Sequence, residues 1–386
     1  MIFDLWRYHQ LIGLIVMSIG FAAIIARRFG PAAGCLLAYL FINSALMFQN
    51  PTETWDKLQV LIDSKAGIGF ATLSILISSI AFLPSKTVQY VYKALIIFIS
   101  FDALVVCFNG WGAFNAGSLD TSMIAVAIIM LLFRPQQFKS LWTLVLSTVC
   151  LIALIWQKGS TAYFVLAGGL SSYFLARANL SRNPYLLLSC IPIISLIFGL
   201  GVFTTGDQFL NPWDRFVEWK RLFEWFWSNA NLVVGTGMGS FEVIGPVVQQ
   251  AAGVKKVFLF MHNDWLQILF EFGILGAILT LWVCADALWR ARKEPWLFAT
   301  LCAFGIAMIP QFPLRFSASQ ILIVLLLRTA LLRIDPSISQ SQKETYLMNL
   351  EAAQKSSNLN AFLIAFVFIF IGATLGIVSV MVGVPS

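Results

Sequence analysis

Apolar residues come in long unbroken runs along this chain, and polar residues gather in the short stretches between them. The runs fall within residues 10 to 26, 31 to 48, 67 to 84, 93 to 108, 121 to 133, 141 to 157, 160 to 176, 184 to 203, 265 to 289, 296 to 310, 316 to 332 and 360 to 382, about twelve in all. A hydrocarbon core about 30 Å thick needs a helix of roughly 20 apolar residues. No run alternates with a period of two, which rules out barrel strands, so the pattern predicts an all-α, polytopic transmembrane bundle. The first run is too long, and its end at Arg27 and Arg28 too basic, for a cleaved leader, so it is read as a retained helix.

One polar stretch is far longer than the others, and it divides the chain. The expected organisation is about eight N-terminal transmembrane helices over 1 to 203, an outer loop over 204 to 264, and about four C-terminal transmembrane helices over 265 to 386. Inside the last part lies a polar cytoplasmic segment, 333 to 358. There Tyr346, Leu347 and Leu350 are spaced either for a helix lying on the membrane surface or for nothing more than a linker.

Composition agrees with the pattern. Of 386 residues, 59% are hydrophobic and 11% charged, with a mean hydropathy of +0.84, well outside soluble averages. Charge then sets orientation, because Lys and Arg are retained on the cytoplasmic side. With the N-terminus outside, the inner connections hold Arg27, Arg28, Lys86, Lys93, Arg134, Lys139, Arg177, Arg182, Arg290, Arg292, Lys293, Arg328, Arg333, Lys343 and Lys355, the majority of the 25 basic residues. The loop over 204 to 264 therefore faces outwards. The net charge of +7 reads as topology, and no clustered basic face marks a nucleic-acid partner. The six cysteines are scattered through apolar runs without a C-x-x-C pair, so they read as small core residues.

The candidate chemistry lies on the outer loop. Across NPWDRFVEWKRLFEWFWSNA, residues 211 to 230, Phe216, Trp219, Phe223, Phe226 and Trp227 recur at helical spacing, opposite Asp214, Glu218, Arg221, Glu224 and Ser228. Its four tryptophans suit a helix at the headgroup level, either flanking the access of a lipid substrate or only anchoring the loop. The GTGMGSF segment spaces Gly235, Gly237 and Gly239 for a sharp turn, whose amides could alternatively meet an anion. It lacks the Lys-Ser/Thr of a phosphate-binding P-loop and the Rossmann spacing.

After a connection of some twenty residues, His262, Asn263 and Asp264 stand directly before an apolar helix that carries Glu271. His262 suits a general base or a hydrogen-bond donor to a sugar hydroxyl. The alternative is a helix N-cap made by Asn263 or Asp264 without chemistry. Glu271 is an ionisable residue inside a span, a costly position that is usually functional or paired. Lys158, Arg215 and Arg315 are isolated outer cations that suit a diphosphate, with snorkelling, or for Arg215 a pair with Glu218, as the plain alternatives.

DRFVEW, then NLVVGTGMGSF, then MHNDWLQILFEFGILG resembles the signature region of the O-antigen ligase and polymerase superfamily, with FPLRF and QKGS as weaker flanking matches. The chain departs from that family by Lys158 for a usual Arg, by Trp265 for a frequent Tyr, and by lacking a proline just before the first glycine. The resemblance implies a GT-C-like bundle in a bacterial cell inner membrane. Its activity would be that of a metal-independent, inverting glycosyltransferase, without a cofactor, using a glycan on undecaprenyl diphosphate at the periplasmic face. It further implies that Arg215, with Lys158 and Arg315, holds the diphosphate and that His262 serves the acceptor hydroxyl. Gly235, Gly237, Gly239, Asn263, Asp264 and Glu271 would complete the substrate site.

The acceptor implied is the lipid A core (a ligase), the next repeat unit (a polymerase) or a protein. The ligase is favoured by the short outer loop. The rival from another class is a transporter of lipid-linked sugars, which should carry midplane ionisable residues, here Glu271 and Asp102, and internal repeats, of which none is visible.

Overall fold

The structure is a computed structural model that describes residues 22, 25–26, 29–46, 85–109, 117–133, 140–157, 160–177, 212–237, 239–251, 261–311, 313–315 and 317–332. The runs at 67 to 84, 184 to 203 and 360 to 382, most of 10 to 26, and the segment 333 to 358 lie outside the described residues. In chain order the elements are α1 (Pro31–Leu46), α2 (Ser85–Asn109), α3 (Gly117–Phe133), α4 (Ser140–Gln157), α5 (Ser160–Arg177), α6 (Pro212–Asn229), α7 (Phe241–Ala251), α8 (Asp264–Ala291), α9 (Pro295–Ala307), a 3-10 turn (Pro313–Arg315) and α10 (Ser317–Leu331). The described residues form no β-strand, only an isolated bridge between Asn231 and Gly235.

Two of these helices are long and apolar enough to cross a membrane, Thr87–Phe108 of α2 and Asp264–Ala291, with five shorter apolar helices beside them. At 1.5 Å per residue, the 13 residues of α9 reach about 20 Å and the 18 of α4 about 27 Å, short of a 30 Å core. Among the described residues, helices of these lengths therefore fall short of a full span, while α2 and α8 reach it.

Helix α3 lies at the centre because it has no polar face. Every residue from Thr121 to Leu131 is buried, as a helix apolar all round must be. Helices α2, α4, α5 and α9 pack around it. A Cβ on Gly169 of α5 would fall 2.1 Å from Ile129 Cδ1 and 3.0 Å from Ala303 Cβ, so the missing side chain is what lets α3 and α9 approach α5 together. Outer faces are apolar too: Ile97, Phe101, Leu104 and Phe108 form an exposed stripe on α2, with Phe108 86% exposed. Soluble surfaces seldom carry such continuous stripes.

Helix α8 packs on α1 and α10 and is broken at Gly273, where φ is 65° and ψ is −170°. A break leaves carbonyls before it and amides after it without helical partners, and the protein supplies them. Phe270 O accepts from Thr236 N at 3.0 Å, and Glu271 O accepts from Gly237 N at 2.8 Å. Beyond the break, Ile274 N donates to Leu232 O at 2.9 Å and Leu275 N to Val233 O at 3.1 Å. Phe272 O accepts from the Tyr39 hydroxyl of α1 at 2.5 Å, while Asn43, one turn on, donates to Val234 O at 2.8 Å. The second long span is thus two half-helices, 264–272 and 274–291, spliced by the 232–237 turn. Removing one such donor to a buried carbonyl costs about 1–3 kcal/mol, so Tyr39→Phe should lower the thermal midpoint of the purified protein by several degrees. An unchanged midpoint would show that the splice does not depend on this hydroxyl.

Candidate functional site

Ahead of the break, α6 and α7 fold onto α8 through aromatic packing. Leu222 and Phe226 of α6, Phe241 of α7, Met261 and Phe270 make a small core separate from the main one. Phe270 is its hub, with ring centroids 5.9 Å from Trp225, 5.3 Å from Phe226 and 5.5 Å from Phe241. The amphipathic helix expected over 211 to 230 is therefore present as α6, and its apolar face rests on protein. Two positions depart from the expected faces. Trp227 is 57% exposed and Glu218 is buried, because the contact stripe runs through Trp219, Leu222 and Phe226 rather than one residue further round. Residues 241 to 251, expected as connection, form α7, whose Gly245 and Pro246 mask its helical pattern in the sequence.

The glycine turn lies against the break. Gly235 has φ 78° and Gly273 has φ 65°, and each occupies the space a Cβ on the other would need. A Cβ on Gly235 would fall 2.4 Å from Glu271 O and 2.5 Å from Gly273 N. The amides are used inside the protein: Gly235 N donates to Asn231 O at 2.7 Å, Gly237 N to Glu271 O at 2.8 Å and Gly239 N to Glu271 Oε2 at 3.1 Å. Of the two sequence alternatives, the tight turn is the one present. Glu271 is fully buried, and its second oxygen accepts from Gln267 Nε2 at 2.8 Å. The acid inside the span is thus a pin for the turn.

The His-Asn-Asp segment is held on every side. Asn263 caps α8, its Oδ1 accepting from Leu266 N at 3.0 Å. Asp264 Oδ2 accepts from Leu314 N at 2.7 Å, and Asp264 N donates to Met308 O and Gln311 O at 2.9 and 3.2 Å. Met261 O accepts from Trp219 Nε1 at 2.7 Å, and Met261 N donates to Gln267 Oε1 at 3.4 Å. Between them His262 is partly buried with φ 52°, a left-handed conformation that costs a side-chain-bearing residue about 1–2 kcal/mol. Backbone strain of this kind tends to gather at functional sites.

These bonds join four segments far apart in sequence. Trp219 ties α6 to Met261, Glu271 ties the glycine turn to α8, and Asp264 ties the Pro313–Arg315 turn to both. Ser319 and Gln320 of α10 hold that turn in turn, by donating to Pro313 O and Leu314 O. Arg215 lies on the first turn of α6 and Arg315 ends the 3-10 turn. Their side chains, like Lys158 entirely, lie outside the described residues. Glu218, the alternative partner for Arg215, pairs with Arg221 at 3.1 Å.

Beside this junction lies an apolar cavity of about 550 Å³ between α1, α8, α9 and α10, with Trp265, Ile268, Phe272 and Leu314 lining it. Leu314 links it to the site, since its amide is bound by Asp264 and its neighbour is Arg315. Among the described residues, no three His, Cys, Asp or Glu side chains are grouped to hold a metal ion.

Several contacts of this architecture were not read from the sequence. Gln267 links Glu271 to Met261, and Trp265, noted there only in place of a frequent Tyr, donates from Nε1 to Gly305 O at 3.0 Å. The signal for Tyr39 and Asn43 was present: two polar residues one turn apart on a run whose only other polar side chain is Ser44. Compared with known proteins, the chain matches no protein-family model and no curated sequence.

Proposed function

We propose that this chain is a multi-pass protein of a bacterial inner membrane, with about twelve spans. We further propose that it transfers a glycan from undecaprenyl diphosphate to an acceptor sugar hydroxyl at the periplasmic face. The first reading of the acceptor is the lipid A core, an O-antigen ligase reaction; a repeat-unit polymerase is the alternative. One observation carries the reading. The His262 segment, the glycine turn, the helix bearing Arg215 and the turn ending in Arg315 are hydrogen-bonded together beside a large apolar cavity. That combination suits a ligand with a polar, anionic head and a long isoprenoid tail.

In this reaction His262 accepts or orients the acceptor hydroxyl proton. The acceptor oxygen attacks the anomeric carbon, a C–O bond forms on one face, and the bond from that carbon to the phosphate oxygen breaks on the other, inverting the centre. The electron pair leaves on the diphosphate, whose developing charge Arg215, Lys158 and Arg315 stabilise. Asn263, Asp264, Glu271 and the glycines support the site by fixing backbone. A transporter is disfavoured because Glu271, one of the two acids it would need, is engaged by Gly239 and Gln267.

The test is glycan transfer by purified, reconstituted protein. His262→Ala and Arg215→Ala should each lower transfer by about 100-fold or more while eluting and melting like the wild type. Full activity in both variants would remove the site assignment. Failure of the wild type to transfer to any acceptor, with lipid-linked glycan still moving across the bilayer, would favour the transporter.

A further inference from the structure

The turn that splices the two halves of α8 is hydrogen-bonded more completely than a loop in water needs. Val233 N and Val234 N donate to Asn231 Oδ1 at 3.0 and 3.4 Å, and Gly235 N donates to Asn231 O at 2.7 Å. With the bonds from Thr236 N and Gly237 N into α8, each amide from Val233 to Gly237 has a partner inside the protein. The carbonyls of Leu232, Val233 and Val234 accept from Ile274 N, Leu275 N and the Asn43 side-chain amide. In water the solvent could meet these groups. In hydrocarbon it cannot, and non-helical backbone is admitted there only where the protein satisfies it.

The side chains face the same medium. Val233 is 56% exposed, beside Ile274, Leu275 and Ile278, exposed residues at the start of the half-helix 274–291. Leu281, Trp282 and Trp289 carry that exposed stripe on towards the end of α8. Val233 thus prolongs an apolar face of a helix long enough to cross a membrane.

Two helices measure the level of the turn independently. A Cβ on Gly30 would fall 3.1 Å from Arg290 Nη2, so α1 starts at the depth where α8 ends. That depth is an interface: Arg292 stacks 3.7 Å over the ring of Trp289, the side chain expected where headgroups begin. From Pro31 to Asn43, which holds Val234 O, α1 rises about 18 Å. From Arg290 to Leu275, which holds Val233 O, α8 rises about 22 Å. In a hydrocarbon core about 30 Å thick, both routes place the turn roughly 8–12 Å below the outer boundary.

We propose that the 232–237 turn is a re-entrant element lying within the outer leaflet, with Val233 in contact with phospholipid acyl chains. The segment expected over 204 to 264 as an outer loop then dips back into the bilayer at its glycines, where α8 is broken to receive it. This rests on the membrane orientation proposed above and not on the transfer chemistry.

Photocrosslinking of the full chain in phosphatidylglycerol nanodiscs tests this, with p-benzoylphenylalanine replacing Val233, Ile278 or Lys220 in turn. Ile278 is exposed on the span, and Lys220 is exposed on the polar face of α6. After irradiation, intact-mass spectrometry should find a phospholipid adduct at 233 in a yield within about twofold of that at 278 and about tenfold above that at 220. A second readout needs only a small side chain. Counted over the wild type, Val233→Cys should react with a charged, water-soluble methanethiosulfonate about 100-fold more slowly than Lys220→Cys, because the thiolate does not form in hydrocarbon. An adduct yield at 233 no higher than at 220, equal yields at all three positions, or fast reaction of Val233→Cys would each overturn the proposal. Absence of an adduct at 278 would sink the membrane placement of α8 and the proposal with it. Neither readout depends on glycan transfer, so the proposed reaction stands or falls separately.

Discussion

Gly273→Ala should unfold the junction between the 232–237 turn and α8, not merely loosen it. The backbone there has φ 65° and ψ −170°, a region open essentially to glycine alone, which costs other residues about 1–3 kcal/mol. The added Cβ would also lie 2.4 Å from Val233 O and 2.5 Å from Gly235 N, backbone atoms that cannot swing aside as a flexible side chain could. Making room means separating the turn from α8, which gives up the Ile274 N to Leu232 O and Leu275 N to Val233 O bonds at about 1 kcal/mol each. Together these reach about 4 kcal/mol, a large share of a typical total stability of about 5–15 kcal/mol. The expected result is a thermal midpoint lowered by about 8 °C or more, with the proposed glycan transfer lost. Gly305→Ala is the matched control. A Cβ there would meet only Trp265 Cζ2 at an ordinary 3.8 Å, so it should be neutral or slightly stabilising. If the two alanine variants melt together, the account of the break is wrong.

The same residues show what the sequence can and cannot announce. Runs such as 141 to 157 and 160 to 176 coincide with α4 and α5 to within a residue at most boundaries, since burial against lipid or protein needs only an apolar stretch of sufficient length. The helix at 212–229 was legible from its 3.6-residue aromatic period. The break in α8 was not, because Gly273 sits in an apolar run where glycine is common, and nothing local distinguishes a packing glycine from one that ends a helix. What decides is the partner: the 232–237 turn, some forty residues earlier, carries the groups that satisfy the break.

For the same reason the roles around His262 were only half legible. HND could be read as a helix cap or as chemistry, and Asn263 does cap α8. That Asp264 reaches fifty residues on to Leu314, or that Trp219 and Gln267 hold the peptide before His262, is long-range information no spacing contains. Glu271 was marked by the cost of an acid in a span. The structure gives that cost a compensation in two donated hydrogen bonds, so a feature that first suggested direct substrate contact is shown holding the turn.

Glu271 accordingly separates stability from activity in two substitutions. Glu271→Ala removes both acceptors at a fully buried position and orphans Gly239 N and Gln267 Nε2, together worth about 2–5 kcal/mol. It should melt well below the wild type and lose transfer with the fold. Glu271→Gln keeps the shape but turns one acceptor into a donor. If its amide oxygen keeps Gly239 N, its amide nitrogen meets Gln267 Nε2. Gln267 can answer only by rotating its amide, which then presents NH₂ to Met261 N in place of the oxygen that accepts from it. The conflict is thus relayed to the peptide beside His262, whose left-handed backbone depends on such restraints. Glu271→Gln should therefore lose about 1–2 kcal/mol of stability, one neutral hydrogen bond and its orphaned donor, yet lose about 100-fold in turnover of the proposed transfer, the scale expected when a group in the proposed role of His262 is displaced by about 1 Å. Equal, proportionate losses in melting and turnover would reduce Glu271 to a purely structural acid; a small melting shift with a large fall in kcat places it in control of His262.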